Sequence, residues 1–247
     1  MLQICPKLRT FKLFVTESLA SLGTTLRDLG HTLDQITLVY PPDQVSLSGL
    51  IDFLSSCGRR ISRLDVECTT DTIITAQDLV AIASHCTQLE SLTFTNFHVV
   101  PEVDPRISHS PVPLEPANFP FLRNVRLSNV IIDDFGKDVF RYLLGGAHDL
   151  ESLYVSFKVM QTKSKYSLLT FLFQTFGYFF SDFLLLEDIL ATNNLSQLQE
   201  FILKDGALTL ISALRLITER PKLRIVGKLL HWDVEPCELT TFIQILR

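Results

Sequence analysis

Charge is scarce in this chain, and basic charge is scarcer than acidic. Only 20% of the 247 residues are charged and the formal net charge is −5. A protein that grips a phosphate backbone presents a basic face, and no such footprint exists here, where the longest basic runs are Arg59-Arg60 and the Lys163/Lys165 pair. Paired cysteines are missing as well. Cys5, Cys57, Cys68, Cys86 and Cys237 are odd in number, stand singly and form no Cys-x-x-Cys. That argues against a disulfide framework and a thiolate zinc site, and it fits a reducing compartment. The six histidines are scattered, none with a second ligand-type residue at zinc spacing.

Catalytic signatures are also wanting. Gly-x-Gly-x-x-Gly, the P-loop, Gly-x-Ser-x-Gly and His-Glu-x-x-His do not occur. His85-Cys86 reads as a packed thiol beside a surface imidazole. The adjacent carboxylates Asp133-Asp134 and Glu187-Asp188 diverge on a helix and make no acid/base dyad. The expectation is a non-enzyme with no catalytic residue, no cofactor, no metal and no small-molecule substrate. The opening Met1-Leu2-Gln3-Ile4-Cys5-Pro6 has neither the basic start nor the long apolar run of a secretory leader. A cytoplasmic or nuclear location is expected.

Apolar residues, by contrast, are abundant: 47% of the chain is hydrophobic, which is incompatible with disorder. They recur in a fixed grammar, Leu-x-x-Leu-x-Leu with conservative swaps. The copies are Leu8-Phe11-Leu13, Leu33-Ile36-Leu38, Ile61-Leu64-Val66, Leu89-Leu92-Phe94, Leu122-Val125-Leu127, Leu150-Leu153-Val155 and Leu198-Phe201-Leu203. A degenerate eighth is placed at Leu223-Val226. Successive starts lie 25, 28, 28, 33, 28, 48 and 25 residues apart. The two long intervals hold insertions at about 98–120, rich in proline, and at about 156–183, leading into an aromatic run.

Helical spacing fills the gaps between triplets. Leu19, Leu22, Leu26 and Leu29 form one face, and Leu47, Leu50, Ile51 and Leu54 another. Leu79, Val80, Ile82 and Ala83 follow Thr75-Ala-Gln-Asp78, a capping box with Asp in place of Glu. Further helices are expected over Phe135–Leu144, ended by Gly145-Gly146, over Leu184–Leu190 and over Leu208–Ile217. Each unit reads as strand, loop and helix. One unit cannot bury its apolar face alone, so the units stack. A doubly wound α/β fold also alternates strand and helix but does not need one repeated triplet.

These triplets resemble the leucine-rich repeat family, and more narrowly the cysteine-containing subtype of F-box substrate receptors. The matching text is Cys5-Pro-Lys-Leu8, Cys57-Gly-Arg-Arg-Ile61 and Cys86-Thr-Gln-Leu89, each with a cysteine closing a helix just before a strand. Pro6-Lys7-Leu8-Arg9 and Pro221-Lys222-Leu223-Arg224 are near-identical phrases at the two ends. The resemblance implies a single α/β domain over 1–247, a leucine-rich repeat solenoid curved as a horseshoe, with parallel strands on the concave face and helices on the convex face. It also implies short polar side chains satisfying the loop backbone after each strand, at Cys68, Asn96, Asn129 and Asp205. The F-box itself precedes the repeats in those receptors; with a first triplet at Leu8, membership among them would require a region ahead of this sequence or a partner that supplies the function.

In such an architecture the residues between framework apolars face outward. They run from Thr10, Lys12 and Phe14 on the first strand to Glu200, Ile202 and Lys204 on the seventh. Arg63, Asp65, Glu67, Thr93, Arg126, Tyr154 and Lys204 are the candidate partner-binding residues, with Arg and Tyr favoured as anchors. The expected function is a non-catalytic protein–protein interaction scaffold, extending to substrate recognition in a cullin-type (SCF) ubiquitin ligase. The alternative is a membrane-associated repeat protein held by the apolar segment 168–190, against which acidic residues such as Asp182 weigh.

Overall fold

The computed structural model describes residues 8–15, 19–28, 33–41, 47, 49–99, 117–132, 143–157, 195–208 and 210–229. They form an α/β fold built on one open, all-parallel sheet of eight strands. The strands are β1 (Thr10–Phe14), β2 (Gln35–Tyr40), β3 (Arg63–Ile74), β4 (Ser91–Val99), β5 (Asn124–Ile132), β6 (Ser152–Phe157), β7 (Glu200–Leu208) and β8 (Arg224–Leu229). Each pairs only with its neighbours in sequence, from β1 through to β8. Strand order never reverses, so the switch point that defines a doubly wound fold is absent from the described residues.

The register explains why the triplet repeats. Ile36, Leu64, Leu92, Val125, Leu153, Phe201 and Ile225 are successive cross-strand partners, and all are buried. Leu38, Val66, Phe94, Leu127, Val155 and Leu203 make a second buried row two residues further on. Because strand side chains alternate faces, one face of the sheet receives only these apolar rows. Burying each such side chain is worth roughly 1.5–3 kcal/mol, which makes the phase of every strand hard to slip.

The residue after each leading leucine acts as a hinge for the next unit. The carbonyl of Arg9 accepts from Asp34 and Gln35, that of Asp34 from Ser62 and Arg63, and that of Ser62 from Glu90 and Ser91. Glu90, Arg123 and Glu151 continue the pattern with the pairs that start β5, β6 and β7. The strand starts are therefore pinned to one another by backbone alone.

Helices α1 (Leu19–Asp28), α2 (Leu50–Cys57), α3 (Ala76–His85) and α4 (Leu210–Glu219) carry their apolar residues into the same core as the strands. α1 packs on α2 so closely that a Cβ on Gly23 would stand 2.9 Å from the Phe53 carbonyl oxygen. α3 starts on the expected capping box, with the Asp78 amide donating to Thr75 Oγ1 over 3.2 Å and the Thr75 amide to Asp78 Oδ2 over 2.8 Å. Helix ends and strand starts meet at the cysteines. Cys57 closes α2, Cys86 caps α3, and both thiols are buried.

Three expectations need correction or trimming. The helix expected from Leu208 begins at Leu210, because Leu208 still pairs with Leu229 as the end of β7. The eighth triplet is misplaced: Ile225, not Val226, pairs with Phe201 and is buried. One residue fewer separates Leu223 from the strand, so the alternation Leu223, Ile225, Gly227 takes over from Leu-x-x-Leu. The proline-rich insertion is narrower than 98–120, since His98 and Val99 belong to β4 and Ala117 and Phe119 are buried in the core. Leu143 and Leu144 are helical and Gly145-Gly146 is a turn, as expected for the end of that helix. Residues 100–116, 133–142 and 158–194, with the apolar segment 168–190 and the helix at Leu184–Leu190, lie outside the described residues, as does Trp232.

Candidate functional site

The sheet face opposite the core collects every candidate binding residue. Asp65, Thr93, Arg126 and Tyr154 are consecutive cross-strand partners on β3 to β6 and form one transverse row. Lys12 and Thr37 extend that row at one end and Ile202 and Val226 at the other. Arg63 and Glu67 flank Asp65 on β3, and Lys204 lies opposite Ser156 on β7. The out-of-phase residues of distant repeats thus share one surface, although up to 141 residues separate Arg63 from Lys204 in sequence.

Ion pairing organises the β1–β3 half. Lys12 Nζ reaches past β2 to Glu67, at 2.9 and 3.1 Å from the two carboxylate oxygens. Arg63 Nε donates to Asp65 Oδ2 over 3.0 Å, and Thr37 Oγ1 donates to the same oxygen over 3.4 Å. The other Asp65 oxygen is buried with no hydrogen-bond partner among the described residues. Exposed pairs of this kind are worth about 0–1 kcal/mol each. Their consequence here is local neutrality.

The centre is different. Arg126 Cζ lies 4.2 Å above the centre of the Tyr154 ring, and Arg126 Nε donates to Ser128 Oγ over 3.3 Å. The ring contact and the hydrogen bond together restrain the guanidinium, and the hydrogen bond to Ser128 uses only its Nε–H. Thr93 beside it is half-buried, while Arg126 and Lys204 are exposed. At the far end Arg224 pairs with Glu200 at 2.8 Å, which also accepts from Ser152 at 3.5 Å.

Sequence reasoning missed some of these residues. Lys12 stands at an outward position without being singled out, and its ion pair depends on a register that only the folded sheet supplies. Val226 was counted as framework and lies on the open face; the alternation of Leu223, Ile225 and Gly227 is the signal that places it there. Phe14 is 66% exposed at the β1 end of this face.

Within β3, β4 and β5 a polar ladder links the strands. Asn96 and Asn129 adopt left-handed backbone conformations, with φ of 57° and 54°. Asn96 Nδ2 donates to the Cys68 carbonyl at 2.7 Å, and Asn129 Nδ2 to Asn96 Oδ1 at 2.9 Å. The expected role of these positions in satisfying loop polar groups is met at Asn96.

The buried thiols are chemically quiet. Burial pushes Cys57 up to about 12 and Cys86 up to about 12, with Cys57 adding to the rise at Cys86. Burial raises Cys68 too, against a hydrogen bond from Thr72 that lowers it. Thiolate is the reactive form, so these groups serve packing. Among the described residues no cluster of three His, Cys, Asp or Glu is placed to hold a metal ion, and no helix is long and apolar enough to cross a membrane. Compared with known proteins, the chain matches no family model and no curated sequence.

Proposed function

We propose that the chain is a leucine-rich repeat solenoid acting as a non-catalytic protein-binding scaffold, with the open sheet face as its binding surface. The observation that carries this reading is the constancy of phase. Six successive parallel pairings, from β1 to β7, set the same triplet positions inward and the same intervening positions outward. A stack of this kind offers a broad, regular platform of side chains on rigid strands, which suits a protein partner. The outward set is mixed in charge and includes Arg126 and Tyr154, residue types enriched at interface hot spots.

Cysteines at the ends of α2 and α3 extend the proposal to substrate recognition in a cullin-type ubiquitin ligase, working in the cytoplasm or nucleus. Affinity capture with the full chain tests the reading. A partner retained by the wild type and by an Arg215→Ala control on α4, but lost on Tyr154→Ala with Thr93→Glu, supports it. Capture that never depends on the sheet face would sink it. Adaptor or cullin subunits co-captured with the full-length product support the ligase extension, and their absence removes it.

A further inference from the structure

The cations of the open face divide into two kinds. Lys12 is matched by Glu67, Arg63 by Asp65 and Arg224 by Glu200. Arg126 and Lys204 have no carboxylate partner among the described residues, and both are exposed. They are neighbours on the sheet: Lys204 lies two strands over from Arg126 and one side-chain step along it. From strand spacing and rise, their Cα atoms are about 12 Å apart. Between them lie the half-buried Tyr154 and Ile202.

We infer that this β5–β7 quarter of the face reads an acidic segment of its partner: two Asp or Glu residues flanking an apolar one. The inference rests on the proposed use of the face for protein binding, and it names the chemistry of the partner. Arg126 is built for a carboxylate. Its guanidinium is restrained by Tyr154 and Ser128, and the Ser128 contact uses only Nε–H, so terminal N–H groups remain for a carboxylate at a reduced ordering cost. Lys204 supplies a second, freely oriented charge. The apolar side chain between the two acids covers Tyr154 and Ile202. A separation of about 12 Å corresponds to acids three or four residues apart in an extended segment. The chain's net charge of −5 does not oppose this, because repulsion beyond about 8 Å is screened at physiological ionic strength and the local pairs decide.

Selection from a random, unphosphorylated peptide library on the immobilised full chain tests the inference. The expected result is enrichment of peptides with Asp or Glu three or four residues apart around an apolar residue. The acidic preference disappears when the Arg126→Gln/Lys204→Gln variant is used. A labelled peptide of the enriched sequence binds the double variant at least about tenfold more weakly, and replacing its acids by Gln weakens it similarly. Both substitutions are at exposed positions, and an unchanged melting temperature verifies the fold. Charge reversal adds a second test, since Arg126→Glu restores binding to a peptide carrying Lys at the matching position.

Failures separate cleanly. Neutral or basic peptides that are lost on Tyr154→Ala leave the face as a binding surface and overturn the acidic specificity. An affinity gain above tenfold when phosphoserine replaces the peptide's Glu also overturns it, since the partner would then be a phosphopeptide. Retention indifferent to Tyr154→Ala, Arg126→Gln and Lys204→Gln, or no retention above bare support, overturns both this inference and the proposed function.

Discussion

The Asn129 side-chain amide donates to the Asn96 carboxamide oxygen across 2.9 Å, and Asn96 in turn donates to the Cys68 carbonyl across 2.7 Å. Three repeats are joined by two side chains at a point inside the strands β3, β4 and β5. Both asparagines are left-handed, the conformation that asparagine tolerates best after glycine.

Two substitutions at Asn96 separate the ladder from the backbone. Asn96→Ala loses both hydrogen bonds and puts a Cβ-bearing residue without polar compensation at φ 57°. It is expected to destabilise by about 2–3 kcal/mol, from an unmet carbonyl plus the left-handed penalty. Asn96→Gly loses the same bonds but accepts the conformation, so it should cost about 1 kcal/mol less than Ala. Urea unfolding monitored by circular dichroism gives both values. Equal losses would show that the hydrogen bonds alone matter.

The capping box at the start of α3 yields a prediction of a different size. Thr75 and Asp78 exchange backbone-to-side-chain hydrogen bonds, and Thr75 Oγ1 also donates to Asp78 Oδ2 over 2.8 Å. Thr75→Ala should cost about 1 kcal/mol, with Thr75→Ser nearly neutral because the hydroxyl is kept. The same unfolding measurement checks it. A loss from Ser as large as from Ala would mean that the threonine methyl, not the cap, is what counts.

How far the chain could be read without coordinates follows from which forces are local. The triplets that give β1 to β7 are visible because burial of one sheet face imposes a strict order on Ile36, Leu64, Leu92 and their partners. The Thr75–Asp78 box is visible because it is confined to one turn. Arg126 and Tyr154 occupy the same position of successive triplets, so their adjacency follows from aligning the repeats. The start of β8 does not, because one residue fewer after Leu223 shifts the phase and turns Val226 outward. Lys12 and Glu67 meet only because a long side chain spans an intervening strand. Nor does periodicity foresee the stretch from Glu67 to Thr72, which opposes only Thr95 to Phe97 and lengthens β3.

Cysteine burial sets an alkaline limit on stability. Cys57 and Cys86 are held at about 12 in the folded chain, whereas a free thiol titrates near 8.5. A folded value above the unfolded one means that the contribution is complete below about pH 8.5 and is lost as pH rises toward 12. Above pH 8.5 the unfolded chain releases protons that the folded chain keeps, so each thiol lowers stability by up to about 1.4 kcal/mol per pH unit. Between pH 8 and 10 the wild type should therefore lose more stability than Cys57→Ala/Cys86→Ala, by about 4 kcal/mol for the two thiols. Parallel urea titrations at pH 8, 9 and 10 measure the difference. Identical pH slopes in the two proteins would mean that the thiols are hydrated in the folded state.

A close backbone approach lies where the chain re-enters the core ahead of β5. The Gly146 carbonyl accepts from the Phe119 amide at 3.3 Å, and a Cβ added at Gly146 would run into the Ala117 carbonyl oxygen. That obstacle is backbone, not the tip of a flexible side chain, and Ala117 and Phe119 are themselves buried on either side of it. Relief would have to move one strand of chain away from the other and open the contact that seats Phe119. Gly146→Ala is accordingly expected to cost about 3 kcal/mol, at the upper end of overpacking penalties. The neighbouring Gly145→Ala is expected to cost no more than about 1 kcal/mol. Melting curves of the two variants decide the matter. Similar losses would mean that the turn's conformation, and not the crossing of Gly146 over Ala117, requires glycine there.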